Sequence, residues 1–435
     1  MKWRAHSDRR VVEAVIGVFC DPAEKSVQRL AELPHRSWVR SYYWLDASGM
    51  ALYFLDRLKS LGIESALPMP TLARLERNLA DNRMCSAAMF AEFCLLNQAF
   101  QAAGVQYANE KGFSLTPESC PDPALRYQLD FDFLVDGRDL DLCREVLEGG
   151  GYRLTMATAT EWQFEAGSSE LARIEDLYKP KARRSVELHF TCSDDEAHEP
   201  TRDERLDRVV PRIWNGQSFP VLSSVDQFVH QSLHLLRHLR TPSTRPAWFL
   251  EYKRHMTAHC DEWQFWDEVR QRSQAFRDAP VAIGLVTLLS TQLFGGRAPG
   301  QLREWTLDRL SSPIRLWADR YGRRAVLADN PGTKLHKLLE GEIVRDGHSL
   351  RTKKPSLSQY YQGTQVCHAD PEDGLGRRLR HRYYQACYIL FRLRFHFVEG
   401  LSYCFENVRW RHLLSNLIPS ANTSSAPAKT SMYRP

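Results

Sequence analysis

A chain of 435 residues is too long for one ordinary hydrophobic core and predicts two or three domains. Hydrophobic residues at 43% and charged residues at 26% exclude a wholly disordered chain, and a net charge of +5 permits an anionic substrate without demanding nucleic acid. The ten cysteines, at positions 20, 85, 94, 120, 143, 192, 260, 367, 387 and 404, form no C-x-x-C, which argues against a zinc ribbon or a redox pair and predicts reduced, mostly buried thiols in a cytoplasmic protein.

The N-terminus lacks a signal-like apolar core. Glu13 interrupts Val11–Phe19, which fits an amphipathic helix instead. Apolar residues recur at helical spacing in Val11–Phe19, Met50–Leu61, Leu72–Leu79 and Cys85–Phe100, punctuated by Pro34, Gly62, Pro68 and Pro70. Residues 1–100 are therefore expected to be an N-terminal helical region. Arg74, Arg77 and Arg83 are either cations aimed at a substrate phosphate or members of a solvated helix face.

Residues 101–200 carry a mixed pattern. Gly104–Ala108 reads as a strand leading to Lys111-Gly112, and Gln128–Val135 alternates acidic and apolar residues before an apolar end. Side chains alternate between the faces of a strand, so Asp130 and Asp132 share one face while Leu129, Phe131 and Phe133 face a core. Paired carboxylates repel unless a cation lies between them, and Mg²⁺ takes oxygen ligands while leaving positions for water and phosphate. A D-x-D at a strand end is a candidate metal site for phosphoryl chemistry, although an exposed strand face accommodates the same pattern without metal. A helix over Asp139–Glu148 ends at Gly149–Gly151. Strands follow at Tyr152–Leu154, Trp162–Glu165 and Ala172–Glu175, then a basic turn at Lys179–Arg184 and a strand at Ser185–Phe190, with Glu187 and His189 on one face.

Residues 201–345 are expected to return to helix. Ser224-Val-Asp-Gln227 reads as a capping box, and the helix it opens sets His230, His234 and His238 on one face. A zinc reading of these three lacks a fourth ligand at suitable spacing and competes with a buried polar network. His255 and His259 are expected at the surface. Ala279–Phe294 is shorter than the ~20 residues needed to span a bilayer and reads as a buried helix. Beyond residue 346, Lys353-Lys-Pro is a linker signal within a basic helical extension, 346–418. Arg377–Phe397 is a basic, aromatic-rich helix suited to an anionic membrane or nucleic-acid contact, or to packing its aromatics with arginines outside. Residues 419–435 are dominated by Ser, Thr, Ala and Pro and are expected to be disordered.

The order Lys111-Gly112, then Arg126-x-x-x-Asp130-x-Asp132-x-Leu134-Val135, then a helix ending in Gly151-Tyr152, then Val186-Glu-Leu-His-Phe190, resembles a bacterial nucleotidyltransferase family often labelled uncharacterised. That family occurs among polysaccharide and natural-product gene clusters and belongs to the superfamily that includes DNA polymerase beta. The motifs span roughly residues 100–200, and the helical flanks extend the likeness to about residue 300. The chain departs from the pattern at Glu110, where an apolar residue is more usual, at the Pro-rich polar stretch Ser114–Leu125, and at Glu251, where an Asp is expected.

The resemblance implies an α+β fold: a small mixed nucleotidyltransferase-type β-sheet with helices over 101–200, flanked by N- and C-terminal helical regions. It implies transfer of a nucleoside monophosphate from an NTP to an acceptor hydroxyl or phosphate with Mg²⁺ (or Mn²⁺). Asp130, Asp132 and Glu187 would be the catalytic and metal-holding residues, and Lys111, Gly112, Arg126, His234 and His238 the nucleotide-binding ones. A second reading keeps the fold as a catalytically weak nucleotide- or partner-binding module associated with polysaccharide or natural-product biosynthesis.

Overall fold

The computed structural model describes residues 6–166, 176–179, 184–192, 200–329, 331–347 and 374–417. The expected strand Ala172–Glu175, most of the basic turn Lys179–Arg184, the Lys353 linker and the tail after Pro419 lie outside the described residues.

Helices α1 (Arg9–Gly17), α2 (Ala23–Ala31), α3 (His35–Ala47) and α4 (Met50–Leu61) precede the long α5 (Met69–Ala103). Prolines 22, 34 and 68 stand immediately before α2, α3 and α5, where a missing N–H breaks no helical bond. One helix, α5, replaces the two expected at Leu72–Leu79 and Cys85–Phe100. The polar stretch between them holds neither Gly nor Pro to break it. Buried Asn82 donates to the carbonyls of Ala124 (2.6 Å) and Arg126 (3.2 Å), tying the helix to the chain that enters the central strand.

The sheet comprises β1 (Tyr107–Glu110), β2 (Asp130–Val135), β3 (Tyr152–Ala157), β4 (Glu161–Ala166), β5 (Ser185–His189), β8 (Val210–Trp214) and β9 (Gln217–Val221), ordered β3-β4-β5-β2-β1-β9-β8. A separate short ribbon pairs β6 (Thr191–Cys192) with β7 (Pro200–Thr201). In the main sheet the β2–β5 and β1–β9 pairs are parallel, and the rest are antiparallel. Helix α6 (Leu140–Gly149) lies between β2 and β3 in the chain. Gly104, expected to open β1, instead caps α5 at φ 77°.

Strand alternation decides the two faces. Phe131, Phe133, Val135, Phe164, Val186, Leu188, Phe219 and Val221 form a core with Met89, Phe93 and Phe100 of α5 and Leu140, Cys143 and Leu147 of α6. The even positions of β2 and the odd positions of β5 are thereby turned to the opposite face. The architecture is the expected mixed α+β sheet flanked by helices.

The region from 201 was expected to be helical, but β7, β8 and β9 occupy its start. The β8–β9 turn is Asn215-Gly216, with φ of 46° and 75°, the pair of left-handed residues that a tight hairpin requires. Helix α7 (Ser224–Leu239) is capped one residue earlier than expected. Ser223 accepts from the Asp226 N–H, so Ser224 is the first helical residue and not the cap.

Helices α8 (Pro246–Ala258), α9 (Trp263–Ser273), α10 (Ala279–Phe294), α11 (Gly300–Trp305), α12 (Ser312–Trp317), α13 (Arg323–Val326) and α14 (His336–Arg345) follow. A second core joins helices from both sides of the sheet, including Trp38, Trp44, Phe54, Phe228, Tyr252, Trp266 and Trp317. α10 lies in this core, as its composition predicted. No helix among the described residues is long and apolar enough to cross a membrane.

The helix Leu375–Leu417 is anchored near its end by buried Trp410, whose indole N–H donates to Glu342 Oε1 (3.0 Å). Earlier in that helix Tyr383 and Phe397 are exposed while Tyr384, Tyr388, Phe391 and Phe395 are half-buried, so the Arg377–Phe397 stretch packs its aromatics only in part. Nor are the thiols mostly buried. Among the described cysteines only Cys85, Cys120 and Cys143 are, and none of those described forms a disulfide.

Candidate active site

Register brings the acidic residues together. Asp132 of β2 pairs with Glu187 of the parallel neighbour β5 and with Glu110 of the antiparallel neighbour β1. Directly opposed residues project to the same face, so Glu110, Asp132 and Glu187 form a row across three strands. Asp130, two residues before Asp132, lies on this face as well. His189 is placed there by the same alternation, opposite Glu161 of β4.

Asp132 is the centre of the cluster. Its Oδ1 receives Lys111 Nζ at 2.5 Å and faces His189 Nε2 at 3.2 Å, while His189 Nε2 is also 3.8 Å from Glu187 Oε2. Burial raises the Asp132 pKa, but Lys111 and His189 outweigh it and hold this carboxyl well below the usual range. Asp130 and Glu187 go the other way. Burial, then the charge of Asp132, raises both, and Glu187 is pushed up to about 7. Burial opposes the charge of Lys111, yet Asp132, Glu110 and Asp130 keep its pKa above the ordinary value.

Asp132, Glu187 and His189 each offer a ligand atom within 4.8 Å of the others, a spacing that suits one metal ion. Asp130 stands outside that trio. The two carboxylate oxygens of the trio fit a hard divalent ion, to which His189 would add one nitrogen, and the raised pKa values of Asp130 and Glu187 mark a face crowded with negative charge.

Lys111 reaches Asp132 because the chain bends sharply after β1. Lys111 has φ 49° and Gly112 φ 54°, two successive left-handed conformations. A β-carbon on Gly112 would meet Gln128 Oε1 at 2.7 Å, a contact the end of that side chain can relieve by moving, so the positive φ is what favours glycine. The strained Lys111 backbone is held where its ammonium meets Asp132.

Of the other expected nucleotide contacts, Arg126 and His234 line one small cavity with Lys111, His230, Trp248 and Glu251. Arg126 does not pair with an aspartate. Its Nε donates to Glu251 Oε1 (3.2 Å), which also accepts from Tyr53 (2.8 Å), so Glu251, a departure from the expected Asp, serves as the partner of this arginine. His238 sits one turn beyond the cavity, its ring 4.5 Å from those of His234 and Trp248. Burial lowers the pKa of both, His238 to about 3, so these imidazoles are neutral. Arg74 is engaged by Asp46 at 2.5 Å, while Arg77 and Arg83 are exposed.

Three residues outside the expected set belong here. Glu110 is buried, and its pKa is lowered, against the effect of burial, by its neighbours His230 (Nδ1 3.4 Å) and Arg205 (Nη1 3.4 Å), of which Arg205 is the permanent cation. Burial lowers the His230 pKa to about 4. Glu110 Oε2 and His230 Nε2 are buried without hydrogen-bond partners in the protein, a costly state that a substrate group would relieve. His189 is the third. Its signal was the shared strand face with Glu187, whereas the contacts of Glu110 depend on register.

Of the two histidines expected at the surface, His259 is partly exposed and His255 is not. His255 is fully buried, and the two converge with Glu118 on Ser224. A wider groove of about 560 Å³ lies away from the acidic face, between α1, α2 and the end of α10, and is lined by engaged ion pairs such as Arg29–Asp21 and Arg323–Glu13.

No curated protein matches the sequence. A family model described as an uncharacterised nucleotidyltransferase matches residues 34–295, which run from the start of α3 just past α10 and contain the whole sheet and every residue of the acidic cluster. The chain belongs to this nucleotidyltransferase family.

Proposed function

We propose that the protein is a metal-dependent nucleotidyltransferase that moves a nucleoside monophosphate from an NTP to an acceptor hydroxyl or phosphate. The observation that carries this reading is the pairing of Asp132 with Glu187 on adjacent strands, with Asp130 on the same face and Lys111 Nζ 2.5 Å from Asp132. Asp130, Asp132 and Glu187 would hold Mg²⁺ or Mn²⁺. Such an ion, when bound, neutralises triphosphate charge and acidifies an acceptor oxygen.

The chain's own groups divide the remaining work. Asp132, kept ionised, presents a carboxylate at neutral pH. Lys111 supplies a buried ammonium for a phosphate oxygen, positioned by the bend at Gly112. Glu187, with a pKa of about 7, is suited to take the acceptor's proton. The acceptor oxygen attacks the α-phosphorus, its proton passes to Glu187, and the bond to the bridging oxygen breaks, releasing pyrophosphate. Arg126 and neutral His234 line the cavity beside Lys111, where they would contact nucleotide or acceptor, and His238 supports His234 from behind.

The second reading, a nucleotide- or partner-binding module without turnover, is favoured by the engagement of Arg126 with Glu251 and of Arg74 with Asp46, which leaves Lys111 to carry most of the phosphate contact. Incubation with mixed NTPs, Mg²⁺ and cell extract, followed by mass spectrometry, separates them. Nucleotidyl transfer predicts an acceptor heavier by one nucleoside monophosphate together with pyrophosphate. NTP binding without either product supports the module, and absence of binding contradicts both.

A further inference from the structure

Away from the acidic face, three chain segments converge on one point. Helix α8 ends at Ala258 with His259 as its C-cap, so His255 and His259, four residues apart, share one side of its last turn. Glu118 comes from the loop after the Lys111 bend, and Ser224 is the first residue of α7. Glu118 Oε2 lies 3.2 Å from His255 Nε2 and 3.5 Å from His259 Nε2. Ser224 Oγ lies 2.6 Å from Glu118 Oε2, 2.9 Å from His255 Nε2 and 3.0 Å from His259 Nε2.

These distances have the dimensions of a coordination polyhedron. Tetrahedral Zn²⁺ with N and O ligands at about 2.0–2.1 Å separates its ligand atoms by about 3.3–3.4 Å, and the two carboxylate–imidazole spacings, 3.2 and 3.5 Å, bracket that edge. Two imidazoles spaced i, i+4 on a helix with one carboxylate from elsewhere is a zinc donor set. Ser224 Oγ, within 3.0 Å of all three, is hydrogen-bonded to them and marks the point on which they converge. The surroundings supply outer support for two of the three ligands, His259 and Glu118. His259 Nδ1 lies 2.9 Å from Glu262 Oε2, a carboxylate that fixes the ring so that Nε2 faces inward. Arg212 Nη2 lies 3.9 Å from the other oxygen, Oε1, of Glu118. His255 is fully buried and its Nε2 is directed into the cluster.

We propose that Glu118, His255 and His259 form a second metal site, selective for Zn²⁺, that shares no residue with the acidic cluster. Its role is structural. It clamps the loop carrying Glu118 to the start of α7 and the end of α8. That loop continues from Lys111-Gly112, and α7 already grips it through Gln227 on the Ser114 carbonyl (2.9 Å) and Gln231 on Ser119 (2.9 Å). A zinc ion there would steady the bend that delivers Lys111.

The test uses the full chain, stripped of metal by chelator and titrated with Zn²⁺ against a chromogenic competitor, with Co²⁺ as a spectroscopic substitute. The expected result is one tight zinc per chain and the intense visible bands of tetrahedral Co²⁺. Binding persists in Asp132→Asn, which disables the acidic site, and is lost in His259→Gln and Glu118→Gln. It weakens about 10–100-fold in Glu262→Gln, as for outer-shell partners. His259 and Glu118 are only partly buried, and circular dichroism confirms that each variant is folded. No zinc uptake by the unmodified chain, an octahedral Co²⁺ spectrum, unchanged affinity in the folded His259 and Glu118 variants, or loss of zinc in Asp132→Asn would each overturn the proposal.

Discussion

At Glu187, burial and the neighbouring carboxylates of Asp132 and Asp130 raise the pKa to about 7 from an ordinary 4.5. A carboxyl with a raised native pKa binds its proton more tightly when folded, so the metal-free protein loses stability as pH climbs from about 4.5 to about 7. Glu187→Gln removes that loss. Its predicted effect is stabilisation by about 1–2 kcal/mol at pH 8, after discounting for partial exposure, and little change at pH 4. Thermal melts of the metal-free variant at the two pH values check this, and equal destabilisation at both would refute it. The side chains read from alternation alone, Asp130, Asp132 and Glu187, share one sheet face. Those whose contacts depend on pairing were harder to read. Glu110 reads as a departure from a pattern until register sets it opposite Asp132, and Arg126 meets a partner 125 residues away in Glu251.

Among the elements, α5 sets the geometry of the site. Its Phe93 ring is 5.0 Å from Phe113, just after the Lys111 bend, 5.9 Å from Phe131 and 6.4 Å from Phe133, the two apolar neighbours of Asp132. One buried side chain thus supports both Lys111 and Asp132. Phe93→Ala should cost about 3–5 kcal/mol, measured by urea unfolding, and should weaken NTP binding in the fraction that remains folded. Destabilisation with unchanged affinity would show that the site holds its shape without it. Helical periodicity located α5 but not its continuity, because the buried bonds of Asn82 are long-range. The β8–β9 hairpin carried a local signal, Asn215-Gly216, obscured by the exposed, weakly apolar strands around it.

For the whole molecule, the two cores explain how a polar sheet face stays available. α5 and α6 cover the apolar face, while helices from both ends of the chain merge into a second core whose α7 brings His230 and His234 beside Lys111. This merging of distant segments was not visible in local pattern, since helix–helix pairing carries no period. The family match, residues 34–295, likewise takes in helices of this second core and not merely the motif-bearing strands. On the proposed function, Asp132 organises a metal-dependent nucleotide site. The most direct measurement is calorimetric titration of NTP into the full chain with and without Mg²⁺, for the unmodified protein and for Asp132→Asn. Binding should require Mg²⁺ and fall on the order of 100-fold or more in the variant, with the fold intact, as expected when a group stabilising charge in a low-dielectric site is removed. Mg²⁺-dependent affinity unchanged in Asp132→Asn would contradict it.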